Sequence, residues 1–406
     1  MAKKAQIWSG TAWVDVLSNA SQAIYYTSTA PSSANNGDLW IDSDDDMAAN
    51  QSILDSVTSS STSSAAASNS VKLAYDAATS TRNILINGAF DVWQRGTSIT
   101  VGNFTADRWL QSWSAGQSTV ASRQSFALGS APVSGYEGQF FHRCSWSGTA
   151  SGVYSLSNRI EDVRTFAGQA VTLSFWAKAS SATSVMSMAI GQIFGSGGSP
   201  SSEVYTVGSA IGLTTSWQRF SQTFNVPSIS GKTIGTNLNS YISVAPFYSN
   251  ATVTGIDFDI WGVQLESGSV ATPFARASRT IEQEVASCYR YYYRITPGGT
   301  NRHFGFGYLR TATTATVQVD FPVIMRTAPT AIETSGTVTD YSLMYIATAG
   351  ETGTLNSVVP VIAETSQYNS RITVTVASLA AGATLGSAAF LRAANATAYL
   401  GFSAEM

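Results

Sequence analysis

The strongest constraint on this 406-residue chain is a period of two. Between residues 83 and 279, short runs of β-favouring residues recur, cut apart by Gly, Ser and Asn; Val171 to Ala177, Ser184 to Ile190, Trp217 to Val226, Tyr241 to Ala245 and Ile256 to Leu265 are the clearest. Several alternate apolar and polar residues. Alternation sends successive side chains to opposite faces, leaving one face for a core and one for solvent. About ten such strands in roughly 200 residues predict a two-sheet sandwich of the jelly-roll kind. The Gly- and Ser-rich stretch Ile193 to Pro200 reads as a long loop, a common carrier of binding on rigid sandwiches.

The chain is mainly β elsewhere too, with two helical exceptions. Residues 1–46 form a short N-terminal unit, with a hairpin from Ile7 to Val14 around Ser9-Gly10 and a strand at Leu39-Trp40-Ile41. Four aspartates between Asp42 and Asp46 suit the start of a helix better than a calcium loop. Residues 47–82 contain no Gly or Pro. Steps of three and four from Met47 pass through Leu54, Val57, Ser61, Val71 and Tyr75, a diluted heptad expected to be a short coiled coil. A flexible Ser-rich linker is the plainer alternative. Ala277 to Tyr293 predicts a second helix with Ile281, Val285, Cys288 and Tyr292 on one face. Residues 280–406 then comprise this helix and a C-terminal β-sandwich tip, in which Pro322 and Pro329 bracket a strand-like stretch.

Composition excludes several classes. Charged residues make up 12% of the chain, about half the usual share near 25%. The net charge is −3, with basic residues scattered, so no nucleic-acid footprint is present. No run of ~18 apolar residues suggests membrane insertion. Lys3 and Lys4 are followed by Trp8, Thr11, Trp13 and Asp15 where a signal peptide needs an apolar core, so synthesis in the cytoplasm is expected. Cys144, Cys288, His142 and His303 are too few and too dispersed for a disulfide framework, a metal site or a His-based triad. No cofactor is expected.

What remains is sugar chemistry. An aromatic ring stacks on the apolar C–H face of a sugar while amide, carboxylate or Arg groups bond its hydroxyls. In the sandwich the candidates are Trp113, Trp146, Tyr154 and Tyr205, with Arg159 and Gln192 as polar partners; in the distal region they are Tyr308, Tyr341, Tyr345 and Tyr368. Each has a plainer reading as packing in the core or between subunits. Glycoside hydrolysis needs two carboxyls roughly 5–10 Å apart. Glu161 with Asp162, Asp257 with Asp259, and Glu282 with Glu284 are the local pairs. Asp257 and Asp259 are expected to bond a neighbouring loop or help hold calcium, and Glu282 and Glu284 to form a solvated or ion-paired helix face. No catalytic residue is assigned.

Three stretches carry a resemblance. Asn83 to Gly96 with Thr105-Ala106-Asp107-Arg108-Trp109, Leu173 to Lys178 with Ser216 to Phe220, and Asp257 to Glu266 with Ala271-Thr272-Pro273-Phe274 resemble a carbohydrate-binding-module-like domain of bacteriophage tail fibres. Cys288 to Tyr292, Phe321 to Thr330 and Ser403 to Met406 are similar to tail-fibre ends. The resemblance implies a jelly roll over 83–279, a homotrimer and a place in the virion tail. It further implies attachment to a tail nozzle or adaptor protein through residues 1–46, and adsorption to a host polysaccharide or lipopolysaccharide with host recognition towards the C-terminus, in a receptor-binding tip within 280–406. It transfers no ligand residues. The alternative is a tailspike depolymerase, although no 20–30-residue repeat marks a β-helix.

Overall fold

A computed structural model describes strands β1 (Ala5–Trp8), β2 (Trp13–Val16), β3 (Ile24–Tyr26) and β4 (Leu39–Ile41), then residues 82–406 apart from 101–102, 114–117, 134–135, 148–152 and 252–254. The chain divides into two compact units, Met1–Ala78 and Thr79–Met406. In the first, β1 and β2 pair antiparallel with Trp8 opposite Trp13, the expected hairpin. β3 pairs in parallel with β4. The expected coiled coil over 47–82, save Arg82, and the aspartates from Asp42 to Asp46 lie outside the described residues.

The second unit opens with the sandwich. Its strands are β5 (Ser98–Thr100), β6 (Trp109–Trp113), β7 (Ser118–Ser125), β8 (Phe140–Ser147), β9 (Tyr154–Glu161), β10 (Ala170–Ala179), β11 (Thr183–Ile193), β12 (Val204–Leu213), β13 (Gln218–Asn225), β14 (Tyr241–Ser249) and β15 (Ile256–Ser267). They form two sheets, ordered β13-β10-β15-β8-β7-β5 and β12-β11-β14-β9-β6, an arrangement compatible with a jelly roll. Between the sheets Trp109, Trp146, Phe175, Phe247 and Phe258 are buried in one core.

The opening motif is structural. Asn83 Oδ1 accepts from Leu85 N and Leu265 N, and its Nδ2 donates to Val263 O, stitching the chain onto β15. A side chain at Gly88 would collide with the Val263 carbonyl, so this approach requires glycine. His142 lies fully buried beside Phe90 and Trp93 at ring-centre distances of 5.4 and 5.5 Å. Burial lowers its pKa from 6.5 to about 3. Burial raises Asp107 to about 6, against the hydrogen bonds it accepts from Gln94.

These two groups act in opposite senses. Unfolded histidine takes up a proton that His142 refuses, so the stability His142 contributes is lost as pH falls below 6.5. Asp107 keeps a proton up to about 6, well above its ordinary value of 3.8, so its contribution grows as pH falls through that range. Between pH 7 and 4.5, His142→Phe should tilt the stability difference toward acid by about 2–3 kcal/mol, and Asp107→Asn should tilt it the other way by about 2 kcal/mol. Urea midpoints at the two pH values check both, and equal pH dependence in all three proteins would refute the assignment.

Helix α1 (Ile281–Tyr289) follows, its N-terminus capped by Thr280 Oγ1 accepting from Gln283 N at 3.3 Å. It is shorter than the expected 277–293 because Tyr292 begins a strand. Of the expected apolar face, Cys288 and Tyr292 are buried, and the N-terminal end is corrected. Ile281 is exposed, whereas Glu284 is buried, its carboxylate accepting from Asn87 N and from Ser278 N at 3.0 Å. Glu284 is therefore a tie to the opening motif, not part of a solvated face.

The remaining strands are β16 (Tyr292–Ile295), β17 (His303–Leu309), β18 (Thr314–Asp320), β19 (Ile332–Thr334), β20 (Tyr341–Ala347), β21 (Gly350–Thr365), β22 (Asn369–Val376), β23 (Ala388–Ala393) and β24 (Leu400–Ser403). Six close into a barrel, β17-β18-β22-β21-β20-β23, beside a three-stranded sheet β16-β24-β19. This corrects the expected C-terminal sandwich: β23 pairs with both β17 and β20, and three register shifts between β21 and β22 bend the sheet until it closes. The stretch between Pro322 and Pro329 is irregular rather than a strand, its Met325 N donating to Gln367 O.

Sandwich and barrel are joined around Arg108. Its guanidinium is buried, pairs with Glu405, donates to the backbone carbonyl of Arg159 and lies 3.4 Å from the Tyr291 ring centre. Arg290 with Glu161 (3.0 Å) and Tyr291 Oη with Glu161 (2.6 Å) widen the junction.

Candidate functional site

The period of two builds a groove on the outer face of the five-stranded sheet. Along β9, Tyr154, Leu156 and Asn158 turn inward, leaving Ser155, Ser157 and Arg159 on the outer face. Strand pairing then sets four residues in a row across the sheet. Tyr205 on β12 is opposite Gly191 on β11, Gly191 opposite Ser243 on β14, and Ser243 opposite Arg159 on β9. With strands ~4.8 Å apart, the row runs about 14 Å from an aromatic ring to a guanidinium.

The floor is small by necessity. A Cβ at Gly191 would lie 2.6 Å from the Tyr205 ring, so glycine lets that ring lie across the strand. Ala189, Ala245, Ser155 and Ser157 continue the low floor, and Tyr241 and Tyr248 stand above it, enclosing about 370 Å³. Tyr248 reaches this face because a register shift between Val244 and Phe247 breaks the alternation of β14.

Few charges intrude. Tyr205 Oη lies 3.5 Å from Glu203 Oε2. Burial, with the Glu203 carboxylate, pushes the Tyr205 phenol up to about 12, so it stays protonated across physiological pH. The Arg159 guanidinium lies 4.7 Å from the Tyr241 ring centre and 5.9 Å from that of Phe104. Ser112 and Ser155 share a hydroxyl hydrogen bond of 2.8 Å. The groove thus offers aromatic faces, hydroxyls, one carboxylate and one guanidinium around a floor that admits a flat, hydroxylated molecule.

Of the residues expected from sequence, Tyr205 and Arg159 meet in this groove. Gln192 points the other way, buried, its Nε2 donating to Pro227 O at 2.9 Å. Trp146 and Tyr154 are corrected to core residues, their rings packed on each other at 4.5 Å with no face free for a ligand. Trp113 ends β6, and its side chain lies outside the described residues. In the barrel, Tyr341 and Tyr345 are likewise corrected to buried positions: Tyr341 Oη donates to Tyr399 O at 2.7 Å, and Tyr345 Oη accepts from Ala380 N at 2.8 Å. Tyr308 and Tyr368 are exposed on the barrel surface, away from the groove. Sequence reasoning missed the rest of the groove, Gly191, Glu203, Tyr241, Ser243 and Tyr248 foremost. Alternation along β14 from Ile242 and Val244 would have placed Tyr241 and Ser243 outward.

The carboxyl pairs are engaged elsewhere. Asp259 is buried and bound by Arg143 at 2.7 and 2.8 Å, with Lys178 at 3.6 Å and Asp257 3.8 Å from the same arginine. Glu161 is held by Arg290 and Tyr291, and Asp162 by Arg164. Among the described residues no three His, Cys, Asp or Glu side chains cluster to hold a metal, and no helix is long and apolar enough to cross a membrane.

No protein-family model matches the chain, and no curated protein matches it. Among solved structures it is similar to the enzymatically active domain of tailspike protein 4 of bacteriophage CBA120, at 12% identity and TM-score 0.28, covering 41% of this chain and 22% of that one. It is also similar to the family 11 carbohydrate-binding module of a Clostridium thermocellum cellulosomal cellulase (15%, TM-score 0.26, 43% and 98%) and to a xylan-binding domain from Paenibacillus barcinonensis (11%, TM-score 0.26, 47% and 99%). Similarities this low assign no function.

Proposed function

We propose that the chain binds glycans without hydrolysing them, and that it does so as a trimeric phage tail fibre adsorbing to a host surface polysaccharide. The observation that carries the binding is the row Tyr205, Gly191, Ser243 and Arg159: a ring, a floor without bulk and a guanidinium in register across one sheet. A sugar ring stacks on Tyr205, its hydroxyls bond Ser243 and the Tyr205 hydroxyl, and the low floor lets the neighbouring sugars lie flat. The tail-fibre setting, with attachment through residues 1–46, is supported by the sequence resemblance. Three chains would multiply weak sugar contacts through effective concentration. The reading of binding without catalysis is supported by the ion pairs that engage Asp257 with Asp259 and Glu161 with Asp162.

Incubation with host surface polysaccharide tests it. Retention of polysaccharide without new reducing ends is expected. Tyr205→Ala should weaken binding about tenfold, the effect of losing one well-placed contact of 1–2 kcal/mol. Release of oligosaccharide would favour the depolymerase instead.

A further inference from the structure

Resting on that reading of the groove, we infer that its ligand is an acidic glycan whose sugar carboxylate is received by Arg159. Among the described residues, Arg108, Arg143, Arg276 and Arg290 each pair with a carboxylate: Glu405, Asp259, Asp91 and Glu161. Arg159 has no such partner among the described residues. Its guanidinium is bracketed by the rings of Tyr241 and Phe104. The adjacent Glu161 is taken by Arg290 and Tyr291, and Glu203 stands at the far end of the row beside Tyr205, three strands away.

An arginine laid against aromatic rings keeps its planar fork of donors, loses part of its hydration and is fixed in direction. That fork matches a carboxylate with two parallel hydrogen bonds. The opposite ends of the row therefore ask for different things. The Tyr205 end takes the apolar face of a sugar beside a carboxylate that accepts from hydroxyls, and the Arg159 end takes an anion. A uronic-acid-containing oligosaccharide satisfies both at once, with its acidic sugar over β9.

The test uses the full chain and an immobilised panel of uronic-acid oligosaccharides, the same oligosaccharides after carboxyl reduction, neutral oligosaccharides and phosphorylated ones. Wild-type protein is expected to bind the uronates about ten- to a hundredfold better than their reduced forms, the range of a charge-assisted hydrogen-bonded pair. The preference should shrink as salt rises, because the groove is open to solvent. Arg159→Gln should bind uronates and reduced forms alike, while Tyr205→Ala weakens both. Equal binding of uronates and reduced forms by wild type, unchanged preference in Arg159→Gln, or binding of phosphorylated sugars alone would overturn the inference and leave the groove intact as a glycan site. Absence of all binding, or binding indifferent to Tyr205→Ala, would overturn the groove reading itself.

Discussion

Replacing Glu405 by alanine is expected to lower the unfolding free energy by about 3–5 kcal/mol, because it strands a buried guanidinium without its counter-charge. The Arg108 and Glu405 side chains are 1% and 4% exposed, so water cannot take the place of the lost carboxylate. Tyr291 beneath Arg108 offers only a ring face, and the Arg159 carbonyl accepts part of its hydrogen-bonding capacity. The double replacement Arg108→Met with Glu405→Leu removes both charges together and should recover most of the loss. Urea unfolding of the three proteins checks this. A loss below 1 kcal/mol in Glu405→Ala would mean that the pair is solvated, contrary to its burial.

Ser243→Trp should abolish glycan binding while leaving the fold intact. Ser243 is half-buried at the centre of the transverse row, with Gly191 on one side and Arg159 on the other, and its side chain rises from the floor into a space of about 370 Å³. An indole there occupies the place of the sugar. Because the residue faces out of the core, the expected stability change is within about 0.5 kcal/mol, whereas binding should fall by at least a hundredfold. Retained binding would move the ligand elsewhere, to a surface such as that of exposed Tyr308 and Tyr368 on the barrel.

The strands of the sandwich were legible because alternation is a local property. Ile256 to Leu265 became β15 and Val171 to Ala177 became β10, each longer by a few residues. The groove was legible only in part. Residue type marks Tyr205 and Arg159 as candidates, but nothing local places them in one row: Arg159 meets Ser243, and Ser243 meets Gly191, through pairings between residues far apart in the chain. Tyr248 was further hidden by the register shift that reverses the phase of β14. For the buried aromatics, residue type and strand phase point in opposite directions, and phase prevails. Tyr154 shares the phase of Leu156 and Ile160, and Tyr341 and Tyr345 share that of Leu343, which already marked them as inward. Barrel closure was out of reach, since it depends on β23 finding two partners.

The guanidinium of Arg108 grips two things: a carboxylate from the chain's last residues and the backbone of the strand that lines the groove. A pull applied to the barrel therefore reaches β9 through Arg108 and also through Glu161, held by Arg290 and Tyr291, on the strand that carries Arg159. The clamp is dry, with both charged side chains almost wholly out of water, so on the proposed reading a tilt of the barrel is passed to the strand beneath the glycan instead of being lost in a swivelling hinge.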